Sequence, residues 1–143
     1  MTSIINASPS NGITQTADGS GLIKVQSNGV TTNALAWVNY NAVTKTNISS
    51  YNVSSITYTS TGIYVINFSN ATSDANYSIA TCISQSSTSS SARCLGLYST
   101  ASDGSTGTNK TTSSVTVTAQ IATTGGVAGT TDQSFNGIII FGN

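Results

Sequence analysis

The side chains able to do chemistry are few: Lys24, Lys45, Lys110, Arg93, four aspartates (Asp18, Asp74, Asp103, Asp132) and two cysteines, Cys82 and Cys94. Serines and threonines are plentiful, but the chain has no histidine and no glutamate. A hydroxyl nucleophile needs a base to take its proton, and a serine–histidine pair is impossible here. A serine–lysine pair needs a desolvated lysine, and the sequence around the three lysines gives no sign of burial. Glycoside hydrolysis needs two carboxylates set close together, whereas the aspartates fall in separate turn-like segments. A calcium site from Asp103, Asp132 and loop carbonyls would lack the regular acidic spacing of a dedicated loop. Two cysteines without histidine cannot complete a structural zinc site. The residues therefore predict no catalytic group, no metal and no cofactor. They suit a binding or building protein rather than an enzyme.

The rest of the composition narrows the partners. Charged residues make up 6% of the chain and sum to a formal net charge of zero. They are dispersed, so nucleic acid is not an expected partner, since phosphate backbones are held by clustered Lys and Arg. The same dispersal argues against an anionic membrane surface, and no apolar run approaches the ~20 residues of a membrane-spanning helix. The opening Met1-Thr2-Ser3-Ile4-Ile5 lacks the pattern of an export signal and reads as a cytoplasmic product. In that setting Cys82 and Cys94 are expected as small reduced core residues, with a cross-strand disulfide only if hairpin register sets them opposite each other. The Asn-X-Ser/Thr triplets, such as Asn47-Ile48-Ser49, arise from composition alone.

These groups have to be positioned by strands. Serine, threonine, asparagine and glycine fill about half of all positions, and the apolar remainder is rich in Val, Ile and Tyr, which favour pleated, half-buried surfaces. Residues 1–33 hold the only proline, Pro9, and the turn dipeptides Asn11-Gly12 and Asp18-Gly19. They read as an N-terminal arm for attachment or oligomerisation, and residues 34–143 as a knob domain. Ala34–Tyr40 is the first strong strand. Ser50–Thr59 loses its parity near Ser54-Ser55, which predicts a bulge. Tyr64, Ile66 and Phe68 share one face, as do Tyr77, Ile79, Thr81 and Ile83. Val115, Val117, Ala119 and Ile121 alternate with polar neighbours, and Ala122–Thr131 reads as a glycine-rich connection. Phe135–Phe141 carries the continuous apolar run Ile138-Ile139-Ile140, as expected of a strand in the middle of a sheet or at a subunit contact. The spacing predicts an all-β fold, an antiparallel, jelly-roll-like β-sandwich of seven to eight short strands. Trp37 is expected to anchor its core.

Binding on such a scaffold usually resides in loops. The polar loops Ser84–Ala92 and Ser99–Thr112, with Arg93, Tyr98, Asp103 and Lys110 beside or within them, are the candidate ligand-contacting elements.

The order of short motifs carries a resemblance. Ala36-Trp37-Val38-Asn39-Tyr40, Ser50–Ile56, Gly62–Phe68, Asp74-Ala75-Asn76-Tyr77 and a closing Ile139-Ile140-Phe141-Gly142-Asn143 resemble, from Ala34 to Asn143, the C-terminal domain of bacteriophage tail fibres and related virion structural proteins. The resemblance implies a β-sandwich distal domain, a homotrimer, and a location in the virion after synthesis in the host cytoplasm. Its implied partners are other virion proteins and, for a receptor-binding module, host surface polysaccharide. The alternative expectation is a capsid decoration or head-fibre protein anchored by its N-terminal arm.

Overall fold

Alternation decides which side of each strand enters the core. In the computed structural model, which describes residues 26–27, 30–31, 34–84, 92–99, 109–123 and 126–142, every strand pairing is antiparallel and no helix occurs among the described residues. The strands are β1 (Gln26–Ser27), β2 (Val30–Thr31), β3 (Ala34–Asn41), β4 (Thr46–Tyr51), β5 (Val53–Ser60), β6 (Ile63–Phe68), β7 (Ser78–Ile83), β8 (Ala92–Leu97), β9 (Ser114–Thr123), β10 (Gly126–Thr130) and β11 (Asn136–Phe141). β1 and β2 pair only with each other, and of the arm proposed for residues 1–33 only this hairpin lies within the described residues.

Two sheets pack face to face. Sheet I contains β5, β6, β8, β9 and β10, and sheet II runs β4-β3-β11-β7. Thr118 of β9 pairs with both Ile63 and Gly96, while Ile121 pairs with both Gly129 and Arg93. A strand has only two edges, so β8 lies along one edge of β9 while β6 and then β10 share the other. The chain crosses between sheets four times, after β4, β6, β7 and β10. The antiparallel β-sandwich expected from strand spacing is the observed architecture, with nine strands in the two sheets among the described residues. Two strands were not read from the sequence: β4, because the stretch read as one strand from Ser50 breaks at Asn52, and β10, whose Gly126–Thr130 was read as a glycine-rich connection but pairs with β9.

The core is built from the even positions of β3 and β6 and the odd positions of β9. Ala36, Val38 and Tyr40 face Tyr64, Ile66 and Phe68, with Val115, Val117 and Ala119 beside them and Ile138 and Ile140 opposite. Each fully buried aliphatic or aromatic side chain contributes about 1.5–3 kcal/mol. Tyr40 and Tyr64 stack tilted at 5.2 Å, and Phe68 meets Tyr77 edge-on at 5.9 Å.

Two expectations about this core are corrected. Trp37 does not anchor it: Ala36 and Val38 take the inward positions, which turns Trp37 outward and leaves it half-buried on sheet II. The anchors are instead Tyr40, Tyr64 and Tyr77. The cysteines are unbonded but exposed rather than buried. Cys82 falls on the outward face of sheet II and Cys94 on that of sheet I, so the sandwich itself separates them.

Connections show why the strands end where they do. Asn52 takes a left-handed conformation (φ 54°), which Asn tolerates better than most residues, and breaks the chain between β4 and β5. The bulge expected near Ser54-Ser55 follows at once, between Val53 and Ser55. Gly62, at φ 70°, turns β5 into β6 so tightly that a Cβ would lie 2.6 Å from the Ala119 carbonyl oxygen. Among the described residues no helix is long and apolar enough to cross a membrane.

Candidate functional site

The two sheets leave a groove where their edge strands diverge. β7 and β8 run antiparallel, and the Thr81 hydroxyl donates to the Leu95 carbonyl at 2.6 Å, bridging one end. Toward Tyr77 and Leu97 the edges splay and enclose about 420 Å³, lined by Ser78, Ile79, Thr81, Gly96, Leu97 and Lys110 over the backbone of Tyr77. This volume lies within the usual range for small-ligand sites.

Local chemistry holds the open end in shape. Lys110 bridges back to Val115, and the Thr111 hydroxyl accepts from the Ser113 and Ser114 amides at 3.2 and 2.9 Å. That tight turn aims the Lys110 ammonium at the Tyr77 carbonyl, 2.7 Å away, and across its ring. The Tyr77 side chain is buried beneath the groove, its hydroxyl within donating distance of the Ser114 and Thr111 carbonyls at 2.9 and 3.1 Å. Burial pushes its phenol up to about 12, so at neutral pH it is a hydrogen-bond donor and not a base. An ammonium carries three donors and Tyr77 takes one, which leaves Lys110 able to hold a ligand oxygen. Gly96 leaves space, since a Cβ there would meet nothing within 4 Å. The lining thus offers hydroxyls, strand-edge backbone and one cation. It suits a hydroxyl-rich or carbonyl-bearing ligand held by hydrogen bonds.

The sequence candidates are not gathered at one point. Lys110 lines the groove. Tyr98 lies just beyond Leu97, its amide donating to the Thr116 carbonyl at 3.0 Å, which carries the β8–β9 ladder one residue further. Arg93 is five residues back along β8, roughly 16 Å away at strand rise, and lies on the side of the strand that carries Leu95. Asp103 lies outside the described residues, as do most of the loops Ser84–Ala92 and Ser99–Thr112. Sequence reasoning missed Ser78, Gly96 and Leu97 as lining residues. Their alternation was visible, but nothing in a sequence says that β7 and β8 are edge strands facing each other.

A second polar cluster closes the sandwich near the β3–β4 turn. One carboxylate oxygen of Asp132 accepts from the Tyr64 hydroxyl and from the Gly62 amide, the latter at 2.7 Å. Burial first, then the hydrogen bond and charge of Asp132, hold the Tyr64 phenol far above its ordinary range, and burial with Asp132 does the same for Tyr40. Asn136 lies directly across the ladder from Tyr40 and donates to the Gln133 carbonyl at 3.0 Å. Both phenols remain protonated at neutral pH, and the Asp132 carboxylate, by accepting from Tyr64 and Gly62, fastens these elements together. Among the described residues no three His, Cys, Asp or Glu side chains come together as metal ligands do.

No protein-family model matches this chain, and neither a curated protein nor a solved structure does.

Proposed function

We propose that this chain is a non-enzymatic structural protein of a bacteriophage particle, a short tail-fibre or receptor-binding knob that contacts host surface glycan. The observation that carries the reading is the groove between β7 and β8, where hydroxyls, backbone edges and the Lys110 ammonium line a volume of about 420 Å³. Sugars are recognised by such hydroxyl and amide hydrogen bonds, and weak single sites become effective when several copies act together. The order of tail-fibre-like motifs supports the same reading. Its first and last members, on β3 and β11, are paired strands in the middle of sheet II, so the pattern spans one folding unit.

The test is competition for host cells. Purified protein in excess should reduce adsorption of the phage that carries it, and Lys110→Met, which removes the cation lining the groove but keeps the length of the side chain, should weaken that effect while the protein stays folded. If the parent protein fails to compete, the receptor-binding role is wrong. If the Lys110→Met protein competes as well as the parent, the groove is not the site.

A further inference from the structure

The outward faces of the two sheets are unlike. On sheet I the outward positions carry Ser55, Thr57, Asn67 and Thr116 around a half-buried Val65 and Ile63, with the Asn67 amide donating to Ser55 and Thr57 at 3.0 and 3.1 Å. On sheet II one row crosses all four strands as Tyr51, Trp37, Ile139 and Ala80. Tyr51 and Ile139 are 39% and 40% exposed, and Phe141, two residues along β11 on the same face, is 37% exposed. None of the four strands contains a charged residue. A central position for β11 accounts for burial of Ile138 and Ile140, but it leaves Ile139 and Phe141 in water.

The row also falls in size from one side to the other. Tyr51 and Trp37 stand on β4 and β3, whereas β11 and β7 present a hollow of about 150 Å³ lined by Asn39, Ala80, Cys82, Gly137 and Ile139. Gly137 keeps the hollow open, because a Cβ there would collide with Cys82 Sγ.

We propose that this face is the contact surface for a second copy of the chain. A two-fold axis running along the strands, between β3 and β11, lays Tyr51 over Ala80 of the partner subunit and Trp37 against Ile139 of the partner subunit. The size step makes the face complementary to itself under that rotation, as an isologous contact requires. The face carries no charge to repel its own copy or to select a charged stranger, and the chain's zero net charge adds no long-range repulsion. Two sheets stack readily at ~10 Å. Four strands ~4.8 Å apart and about six residues long give a footprint of roughly 400 Å² per copy, about half the usual share of an interface. The pair is therefore a weak one that dilution separates. The inference does not depend on the receptor-binding role, and it puts a two-fold pair in place of the homotrimer that the tail-fibre resemblance implies.

Trp37 is the only tryptophan, so its emission reports on this face alone. Sedimentation equilibrium and fluorescence of the whole chain, followed from several hundred micromolar downward, should show twofold mass at the top and a red-shifted emission on dilution. Ile139→Lys should stay monomeric and red-shifted throughout, with an unchanged unfolding midpoint; Tyr51→Lys, at the sheet edge, serves the same purpose if the first variant folds poorly. An equimolar mixture of Ile139→Lys and Ile139→Asp should recover the pair, because the axis brings the two positions close together. A single-copy mass at the highest concentration, a threefold mass, or lysine variants that associate like the parent would each overturn the proposal. A threefold mass would remove the two-fold contact while leaving the virion role intact, and failed competition for host cells alongside a twofold mass would do the reverse.

Discussion

Asp132 illustrates how little of a residue's role its neighbours in sequence reveal. By type it was one of four scattered carboxylates and a conceivable calcium ligand. In the fold it reaches back 70 residues to the Gly62 amide and also takes the Tyr64 hydroxyl, tying the approach to β11 onto the start of β6. Hydrogen bonds to a charged acceptor contribute about 1.5–3 kcal/mol each in net terms, and removing one partner leaves the others unpaired. Asp132→Ala should therefore lower stability by about 2–4 kcal/mol, with Asp132→Asn intermediate because its amide oxygen can still accept. Urea unfolding measures this through the midpoint at constant slope. A change smaller than about 0.5 kcal/mol would show that the tie contributes nothing beyond an exposed hydrogen bond. Lys110 teaches the same lesson from the candidate site: its type suggested ligand contact, but its link to the Tyr77 carbonyl comes from a turn whose partner strand is remote in sequence.

At the scale of elements, the crossing from sheet II to sheet I depends on Asn52. Its side chain donates to the Leu35 and Asn70 carbonyls at 3.0 and 3.1 Å and accepts from the Asn70 amide at 2.8 Å, while its backbone sits in the left-handed region. These bonds join the start of β3, the end of β4 and the segment after β6. Asn52→Ala loses them and keeps a Cβ in the left-handed region, a conformation costing roughly 1–2 kcal/mol, without the polar side chain that makes it tolerable to Asn. Asn52→Gly loses the bonds but accepts the backbone angle. The alanine protein should thus be the less stable of the two, and both should be less stable than the parent. Equal melting temperatures for the two variants would show that the backbone angle carries no cost. The bulge nearby was legible in the broken parity of Val53, Ile56 and Tyr58. Its cause was not, because the partners of Asn52 belong to other strands.

Across the whole molecule, three buried phenols set an alkaline limit. Tyr40, Tyr64 and Tyr77 all have raised folded-state pKa values, chiefly through burial. A pKa raised by folding means that the unfolded chain loses the proton first, near 10. The stability these phenols contribute is whole below that pH and is lost as pH rises through the folded values, about 12 for Tyr77 and higher for the other two. A spectroscopic titration of the six tyrosines should therefore show part of the phenolate signal delayed, appearing together with loss of the far-ultraviolet strand signal. Smooth ionisation of all six while the sheet signal persists would contradict the burial assignment.

Composition and alternation set the class of fold and the inward face of most strands. Alternation is a local property, and a β-branched, charge-poor chain has few other ways to satisfy its backbone. It therefore announced Tyr64, Ile66 and Phe68 on β6, Val115, Val117 and Ala119 on β9, and the unusual apolar continuity of β11. Folding in three dimensions settled which strands became edges, which outward face stayed apolar, and whether Trp37 or the tyrosines filled the core. Those outcomes depend on pairings between strands distant in sequence. The β7–β8 groove, the Asp132 tie and the row from Tyr51 to Ala80 exist only because register brings remote residues into line.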